Sequence, residues 1–316
     1  MPIDEPFEYT LLRPLRAPGA AAHNAPLLGP ATLGVEVTEP ELARRCGLGS
    51  IDPQHGAVRG AGAAIEAALD WPPPPLGSRL VTLRPDADAL GAMAVLSLRA
   101  RGAELGQAAE DRIAFAGRWD GFAQGSWREF VRARGPLPRP ASAEDVRLFP
   151  LEYAALASIA ADAARPLTRR VALIRRWLLT GQIPPAARAA AGASAEALAR
   201  AWSEGALSIT RAPDAPLAIV IGAALGGLAL AYRFAPVVVA DQADAAARKV
   251  TIAQYEVGHA DLSGLAAALG RMEPGWGGSA TIIGSPQGAG TRLPLEIIER
   301  ETRARLFPDS GAFQDG

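Results

Sequence analysis

Short apolar runs alternate along the chain with stretches that repeat apolar residues every three or four positions, which is typical of strands followed by helices. The clearest pair lies at 80–102, where an apolar run is followed by a break at Pro85 and then by a helical pattern that ends at Gly102. Similar pairs occur in both halves of the chain. We therefore predict an α/β fold, with a mostly parallel sheet and flanking helices plus a second, smaller α/β domain.

The same patterns divide the chain into three predicted parts. Residues 1–33 are rich in Pro, Ala and Gly and are expected to form an irregular arm. Residues 34–204 carry the first α/β pattern, although periodicity leaves open whether 104–116 is all helix or includes a short strand. Residues 205–316 begin with strand, helix and strand, which predicts a βαβ-like unit and a separate second domain.

Composition excludes several classes of protein. Hydrophobic residues make up 49% of the 316 residues and charged residues 21%, so the chain can form a large core. A formal net charge of −1 gives no basis for binding duplex nucleic acid. One cysteine, Cys46, excludes an internal disulfide and fits a reducing compartment. Because we find no signal segment and no apolar run long enough to cross a bilayer, we expect a soluble, cytoplasmic protein without a membrane partner. The sequence leaves a homodimer open.

Two carboxylates lie between the strand and the helix of the 80–102 pair. Asp86 and Asp88 follow the carboxyl end of the strand, where open α/β sheets bind their ligands. Oxygen ligands of this kind suit Mn²⁺ or Mg²⁺. The alternative is that Asp86 caps the helix and Asp88 lies in its first turn, where the helix dipole favours a negative charge.

Two segments carry a resemblance to a known family. P-D-A-D-A-L-G-A-M-A-V-L at 85–96 resembles the first motif of the DHH phosphoesterase superfamily, which includes oligoribonucleases, exopolyphosphatases and manganese pyrophosphatases. G-W-G-G-S-A-T-I-I-G at 275–284 is similar to the glycine-rich loop of the DHH-associated C-terminal domain. The resemblance implies a two-domain fold, a Mn²⁺ or Mg²⁺ site at the first motif and a small phosphorylated ligand between the domains. Thr82 and Ser279 stand where the family motifs have histidines, and no Asp-His-His triplet occurs.

The chain offers few replacements for those histidines. His55 lies in a polar turn of the first domain, and it is either a solvated surface residue or an imidazole brought to Asp86 and Asp88. Asp111 and Asp120 are the available stand-ins for the aspartate of the family's second motif. We predict Asp86, Asp88, His55 and Asp120 as metal ligands, and His55 and Asp120 as catalytic residues as well.

Aromatic residues cluster around Asp120 in the sequence. They are Trp119, Phe122, Trp127 and Phe130. Such residues either belong to the core or form a platform on which bases stack, and the weakly basic surroundings favour the core.

The glycine-rich segment predicts a second site. Glycines let backbone N–H groups approach an anion closely because no Cβ blocks the way. The predicted substrate-binding residues are Gly275, Gly277, Gly278, Ser279, Ser285, Arg292 and Lys249. The alternative is a set of tight turns at the domain edge. If the resemblance holds, the glycines face Asp86 and Asp88 across a cleft between the domains.

These observations leave two functions open. The first is a divergent metal-dependent phosphoesterase that acts on a small nucleotide or another phosphorylated substrate in an interdomain cleft. The second is a non-hydrolytic relative that binds a nucleotide or another anion on the same scaffold. The sequence alone does not separate them.

Overall fold

The computed structural model describes residues 5–15, 17–53, 62–120, 137–147, 149–222, 226–242, 248–255, 258–278, 280–286 and 290–308. The chain divides into two compact units, each interrupted in sequence. They are Met1–Gly121 with Phe149–Ala191, and Phe122–Leu148 with Gly192–Gly316. The sequence predicts one boundary between residues 204 and 205, whereas this division falls inside a helix that continues to Glu204.

The strands and helices are numbered in chain order. The strands are β1 (Glu8–Leu11), β2 (Thr32–Val35), β3 (Ser50–Ile51), β4 (Arg79–Thr82), β5 (Ser208–Arg211), β6 (Leu217–Ile221), β7 (Val237–Gln242), β8 (Lys249–Gln254), β9 (Gly277–Gly278) and β10 (Ile282–Gly284). The helices are α1 (Ala20–Asn24), α2 (Pro40–Ala43), α3 (Ala64–Asp70), α4 (Ala87–Ala100), α5 (Gln107–Asp120), α6 (Ala143–Val146), α7 (Leu151–Ala161), α8 (Leu167–Thr180), α9 (Pro185–Glu204), α10 (Gly227–Ala231), α11 (Leu262–Met272) and α12 (Leu295–Leu306). Among the helices in the described part of the chain, none is both long and apolar enough to cross a membrane.

The first unit contains a four-stranded sheet whose described pairings are all parallel, in the order β1-β4-β2-β3. Successive residues of a strand point to opposite faces, and both faces of this sheet are covered. Leu80 belongs to the main core, which includes residues of α3, α4, α5, α7 and α8. Val81 belongs to a smaller cluster on the other face, with Leu42 of α2 and Cys46. The prediction of a parallel sheet with flanking helices is confirmed for this unit.

Helix α4 lies at the centre of the first unit's core. Every residue from Ala87 to Leu98 is buried, as expected for a helix enclosed by other elements on all sides. The helix packs closely against α3, because a Cβ added at Gly91 would lie 2.5 Å from Cδ1 of Ile65. This close approach brings the beginning of α3 beside the beginning of α4.

One expectation for the first unit needs correction, and one open alternative is resolved. The stretch 1–33 is not irregular throughout, because β1 pairs in parallel with β4 and Tyr9 is buried in the main core. This edge strand has four residues, too few for a periodic signal in a stretch rich in Pro, Ala and Gly. The stretch 104–116, which periodicity left undecided, is helical from Gln107 onwards and continues to Asp120.

The second unit contains a six-stranded mixed sheet in the order β5-β6-β7-β8-β10-β9. The described pairing of β6 with β7 is parallel and α10 connects them, which confirms the predicted βαβ-like unit. The other described pairings in this sheet are antiparallel. Residues of α11 and α12 form a core with the sheet. Asp261 caps α11, accepting a hydrogen bond from Gly264 N at 3.0 Å.

Candidate metal centre

Carboxylates collect at one edge of the parallel sheet, where the central strands β2 and β4 end. Glu36 directly follows β2, and Asp86 and Asp88 begin the helix that follows β4. Gly34 of β2 lies opposite Val81 of β4, so the two strands end side by side. Ligands of open α/β sheets bind at this edge.

Asp86 and Asp88 are both held by backbone N–H groups. Asp86 caps α4, accepting a hydrogen bond from Ala89 N at 2.9 Å on Oδ1. Asp88 is 1% exposed and accepts hydrogen bonds from Ala64 N at 2.6 Å and Ile65 N at 2.8 Å. The capping role that the sequence left open for Asp86 is therefore present. These hydrogen bonds leave other lone pairs of both carboxylates available to a cation, since each oxygen has two lone pairs.

Asp120, on α5, also lies at this edge. One carboxylate oxygen each from Glu36, Asp88 and Asp120 lies within 4.8 Å of the other two. The structure thus brings together the predicted Asp88 and Asp120. Asp111, the other candidate on α5, is exposed and accepts a hydrogen bond from Gln107 Nε2 at 2.9 Å.

Glu36 is a member of this cluster that the sequence did not identify. The pattern at 34–37 predicts a strand, whereas the strand ends at Val35 and Glu36 has φ of 52°. It has the only positive φ among the non-glycine residues that the structure describes. Such a conformation costs about 1–3 kcal/mol and is concentrated at functional sites. The available signal was an acidic residue between two valines at the carboxyl end of a strand.

The electrostatics of the cluster favour protonation or a cation. Burial raises the pKa of Glu36 well above its usual value, and the charges of Asp86, Asp88 and Asp120 raise it further. Burial and the charge of Asp120 likewise raise the pKa of Asp88, although the hydrogen bonds from Ile65 N and Ala64 N oppose that shift. A divalent cation between these oxygens would offset their mutual repulsion.

Aromatic rings connect Asp120 to helix α7. Tyr153 Oη donates a hydrogen bond to Asp120 Oδ1 at 3.3 Å. The ring of Phe149 lies 5.3 Å from that of Tyr153 and 6.0 Å from that of Trp119, measured between centroids. Trp119 and Phe149 pack against the main core, which supports the core interpretation of Trp119. The other three predicted aromatic residues, Phe122, Trp127 and Phe130, lie outside the described residues.

His55 and Ser279, two of the predicted site residues, also lie outside the described residues. Their predicted roles therefore stay predictions. Thr82, which stands at the position of a family histidine, is buried, and its Oγ1 donates a hydrogen bond to Arg84 O at 3.0 Å.

The glycines predicted to bind substrate belong to the second unit. Gly277 and Gly278 form β9, which pairs with β10 in an antiparallel hairpin. Gly278 has φ of 156°, and a Cβ there would collide with Ile282 O. Gly275 has φ of 107° and lies against Pro286. These glycines have a structural reason in the hairpin, as the tight-turn alternative expects.

The remaining predicted substrate-binding residues also belong to the second unit. Ser285 is 7% exposed, and its Oγ accepts a hydrogen bond from Val250 N at 3.1 Å. Arg292 is exposed, and its backbone N donates to Glu273 Oε1 at 2.8 Å. Lys249 is the exposed first residue of β8. The exposed side chains of Arg292 and Lys249 are available to an anion, whereas the Ser285 hydroxyl already bonds to the backbone of β8.

Comparison with protein-family models, with curated proteins and with solved structures gave no match for this chain.

Proposed function

We propose that the protein is a metal-dependent phosphoesterase with its cation site at Glu36, Asp88 and Asp120. The observation that carries the proposal is the meeting of these three carboxylates within 4.8 Å at the carboxyl edge of the parallel sheet. The resemblance of 85–96 to the first DHH motif independently implies a metal site at this edge, since Asp88 belongs to that segment.

The chemistry of these side chains fits Mn²⁺ or Mg²⁺. Both cations prefer oxygen ligands, and the three carboxylates supply them from three different elements. Asp86, whose charge raises the pKa of Glu36, is close enough to support the same site. Bound there, a divalent cation supplies Lewis acidity toward a phosphoryl oxygen and activates water as the nucleophile.

The charge of the site is the reason why a phosphorylated substrate needs the cation. Like charges repel most strongly where they are partly removed from water, and Asp88 is buried. A phosphate could not approach these carboxylates without a compensating positive charge. In this proposal the three carboxylates hold that charge, and the hydrogen bonds from Ala64 N and Ile65 N fix one of them.

The substrate side of the proposal rests on the resemblance and on the chemistry of the glycine-rich segment. The predicted contacts of the glycine segment and of Arg292 and Lys249 with a substrate phosphate stay predictions. The same applies to the predicted cleft, to the role of His55 and to the choice of a small nucleotide as the substrate.

One observation favours the non-hydrolytic alternative. Asp86 and Asp88 both have structural tasks, since they hold the first turns of α4 and α3. In that alternative the carboxylates organise the sheet edge, and the protein binds a nucleotide or another anion without hydrolysing it.

Hydrolysis of bis(p-nitrophenyl) phosphate by the full chain tests the proposal. We expect hydrolysis with added Mn²⁺, its loss with a chelator, and a loss of at least about a hundredfold for Asp88→Asn, since outer-shell changes alone cost up to that much. Asp111→Asn is the matched control, because that exposed aspartate lies on α5 outside the cluster. Mn²⁺ binding without hydrolysis would favour the non-hydrolytic alternative. Hydrolysis that survives in Asp88→Asn would contradict the proposed site.

A further inference from the structure

The three clustered carboxylates are held in different ways. Asp88 receives two backbone hydrogen bonds, so its position is fixed by α3. Glu36 follows a paired strand, and its own backbone N donates to Ile51 O at 2.8 Å. Asp120 lies on α5, and its carboxylate accepts a hydrogen bond from a side chain of another helix.

Tyr153 supplies such a side chain from the first turn of α7. It is 8% exposed, and its Oη donates a hydrogen bond to Asp120 Oδ1 at 3.3 Å. A tyrosine hydroxyl carries one proton at neutral pH, so it can serve as the donor in this hydrogen bond.

The surroundings of Tyr153 make it a rigid support. Its ring contacts that of Phe149. The neighbouring Glu152 accepts a hydrogen bond from Trp177 Nε1 at 2.6 Å, and Trp177 is completely buried. This hydrogen bond joins the beginning of α7 to α8. Side chains held in this way on helices place a hydrogen-bond donor more accurately than loop residues do.

We propose that Tyr153 is a positioning residue, which holds the Asp120 carboxylate in the orientation that completes the cation site. The inference rests on the proposed function and extends it to a residue that does not itself contact the cation. Hydrogen-bond partners of ligating carboxylates orient them, and losing such a partner typically weakens metal binding by about 10–100-fold.

Titration of the full chain with Mn²⁺, followed by electron paramagnetic resonance of the unbound ion, tests this inference. Tyr153→Phe removes the hydroxyl and keeps the ring, and we expect its Kd for Mn²⁺ to rise by about tenfold. Tyr9→Phe is the matched control, because it is the same change at another buried tyrosine of this unit. Its hydroxyl donates to Glu5 at 3.5 Å, away from the cluster, so its Kd should stay at the wild-type value.

A double-mutant cycle shows whether Tyr153 acts through Asp120. In an Asp120→Asn background, adding Tyr153→Phe should change the Kd by less than about twofold, since the carboxylate to be oriented is already gone. An equal tenfold effect in both backgrounds would overturn the inference. If Tyr153→Phe does not fold, as judged by circular dichroism, Phe149→Leu replaces it. That variant loosens the same ring, and an unchanged Kd for it would also overturn the inference.

The outcome for the wild type separates this inference from the proposed function. If the wild-type chain binds no Mn²⁺, the proposed function fails and the inference fails with it. If the wild type binds Mn²⁺ and Tyr153→Phe binds it equally well, the cation site stands and only the positioning role is overturned.

Discussion

Glu36 occupies a backbone conformation that a glutamate adopts only at a cost. A φ of 52° places its Cβ close to the following carbonyl, which glycine would avoid. This conformation directs the Glu36 carboxylate toward Asp88 and Asp120. This combination is typical of a residue kept for function.

Replacing Glu36 by glycine should therefore stabilise the metal-free protein while removing the cation site. We expect a gain of about 1 kcal/mol in the free energy of unfolding, since the left-handed conformation costs about that much, together with the loss of Mn²⁺ binding. Urea denaturation and Mn²⁺ titration measure the two effects. Glu36→Gln is the control, because it removes the charge and keeps the strain. A destabilised Glu36→Gly variant would show that Glu36 has a structural role.

The sequence predicts the position of those residues whose place in the fold depends on local pattern. Asp86 and Asp88 follow a clear strand and precede a clear helix, so their place at the sheet edge follows from the chain itself. Glu36 and Tyr153 meet Asp120 only through packing between elements distant in sequence. Periodicity carries no information about such meetings.

At the scale of elements, the helices and the central strands were easier to predict than the edges of the sheets. Helix α4 has apolar residues throughout and a clear end, so its pattern determines it. Strand β1 has four residues in a Pro-rich region, and the hairpin of β9 and β10 pairs two glycines. Short edge strands carry too few residues for a periodic signal, so these elements became visible only in the structure.

The carboxylate of Glu273 holds the residues around the glycine-rich segment in place, and its charge depends on pH. Glu273 accepts hydrogen bonds from Trp276 Nε1 at 3.1 Å, Thr291 Oγ1 at 2.5 Å and Arg292 N at 2.8 Å. Burial alone would raise the pKa of Glu273, but these hydrogen bonds outweigh it and lower the pKa below its usual value.

The stability that Glu273 contributes should therefore depend on pH in a defined direction. Because its folded-state pKa is lowered, the contribution is complete above the unfolded pKa of about 4.3 and is lost as the pH falls through the folded pKa. Glu273→Gln should be less stable than the wild type at pH 7, and this difference should shrink below about pH 4. Urea midpoints across this range measure it, with the exposed Glu204→Gln as the control. A difference that grows toward low pH would contradict the assignment.

At the scale of the whole molecule, an ion pair joins two residues of the first unit that are far apart in sequence. Glu5 forms an ion pair with the buried Arg175 of α8, at 2.8 and 3.0 Å, and Arg175 also donates to Ser97 Oγ at 2.8 Å. The segment expected to be an irregular arm is thus tied into this unit. A buried charge has to be paired, and no sequence pattern identifies a partner 170 positions away.

Removing Glu5 should destabilise the protein because it leaves Arg175 buried and unpaired. We expect Glu5→Ala to lower the free energy of unfolding by about 3 kcal/mol, as is typical when one member of a buried ion pair is removed. Glu8→Ala is the matched control, since the Glu8 side chain is 55% exposed in its ion pair with Arg79. Similar effects of the two substitutions in urea denaturation would show that the Arg175 pair is not a structural support.

Anomalous diffraction from crystals of the full chain grown with Mn²⁺ tests the cation site most directly. The proposed site predicts a Mn²⁺ peak within about 2.0–2.6 Å of carboxylate oxygens of Glu36, Asp88 and Asp120, the range of bonds between such cations and oxygen. The same peak should be missing in crystals of Asp88→Asn. A peak at other residues of the wild-type chain, with none between these three carboxylates, would contradict the proposed site.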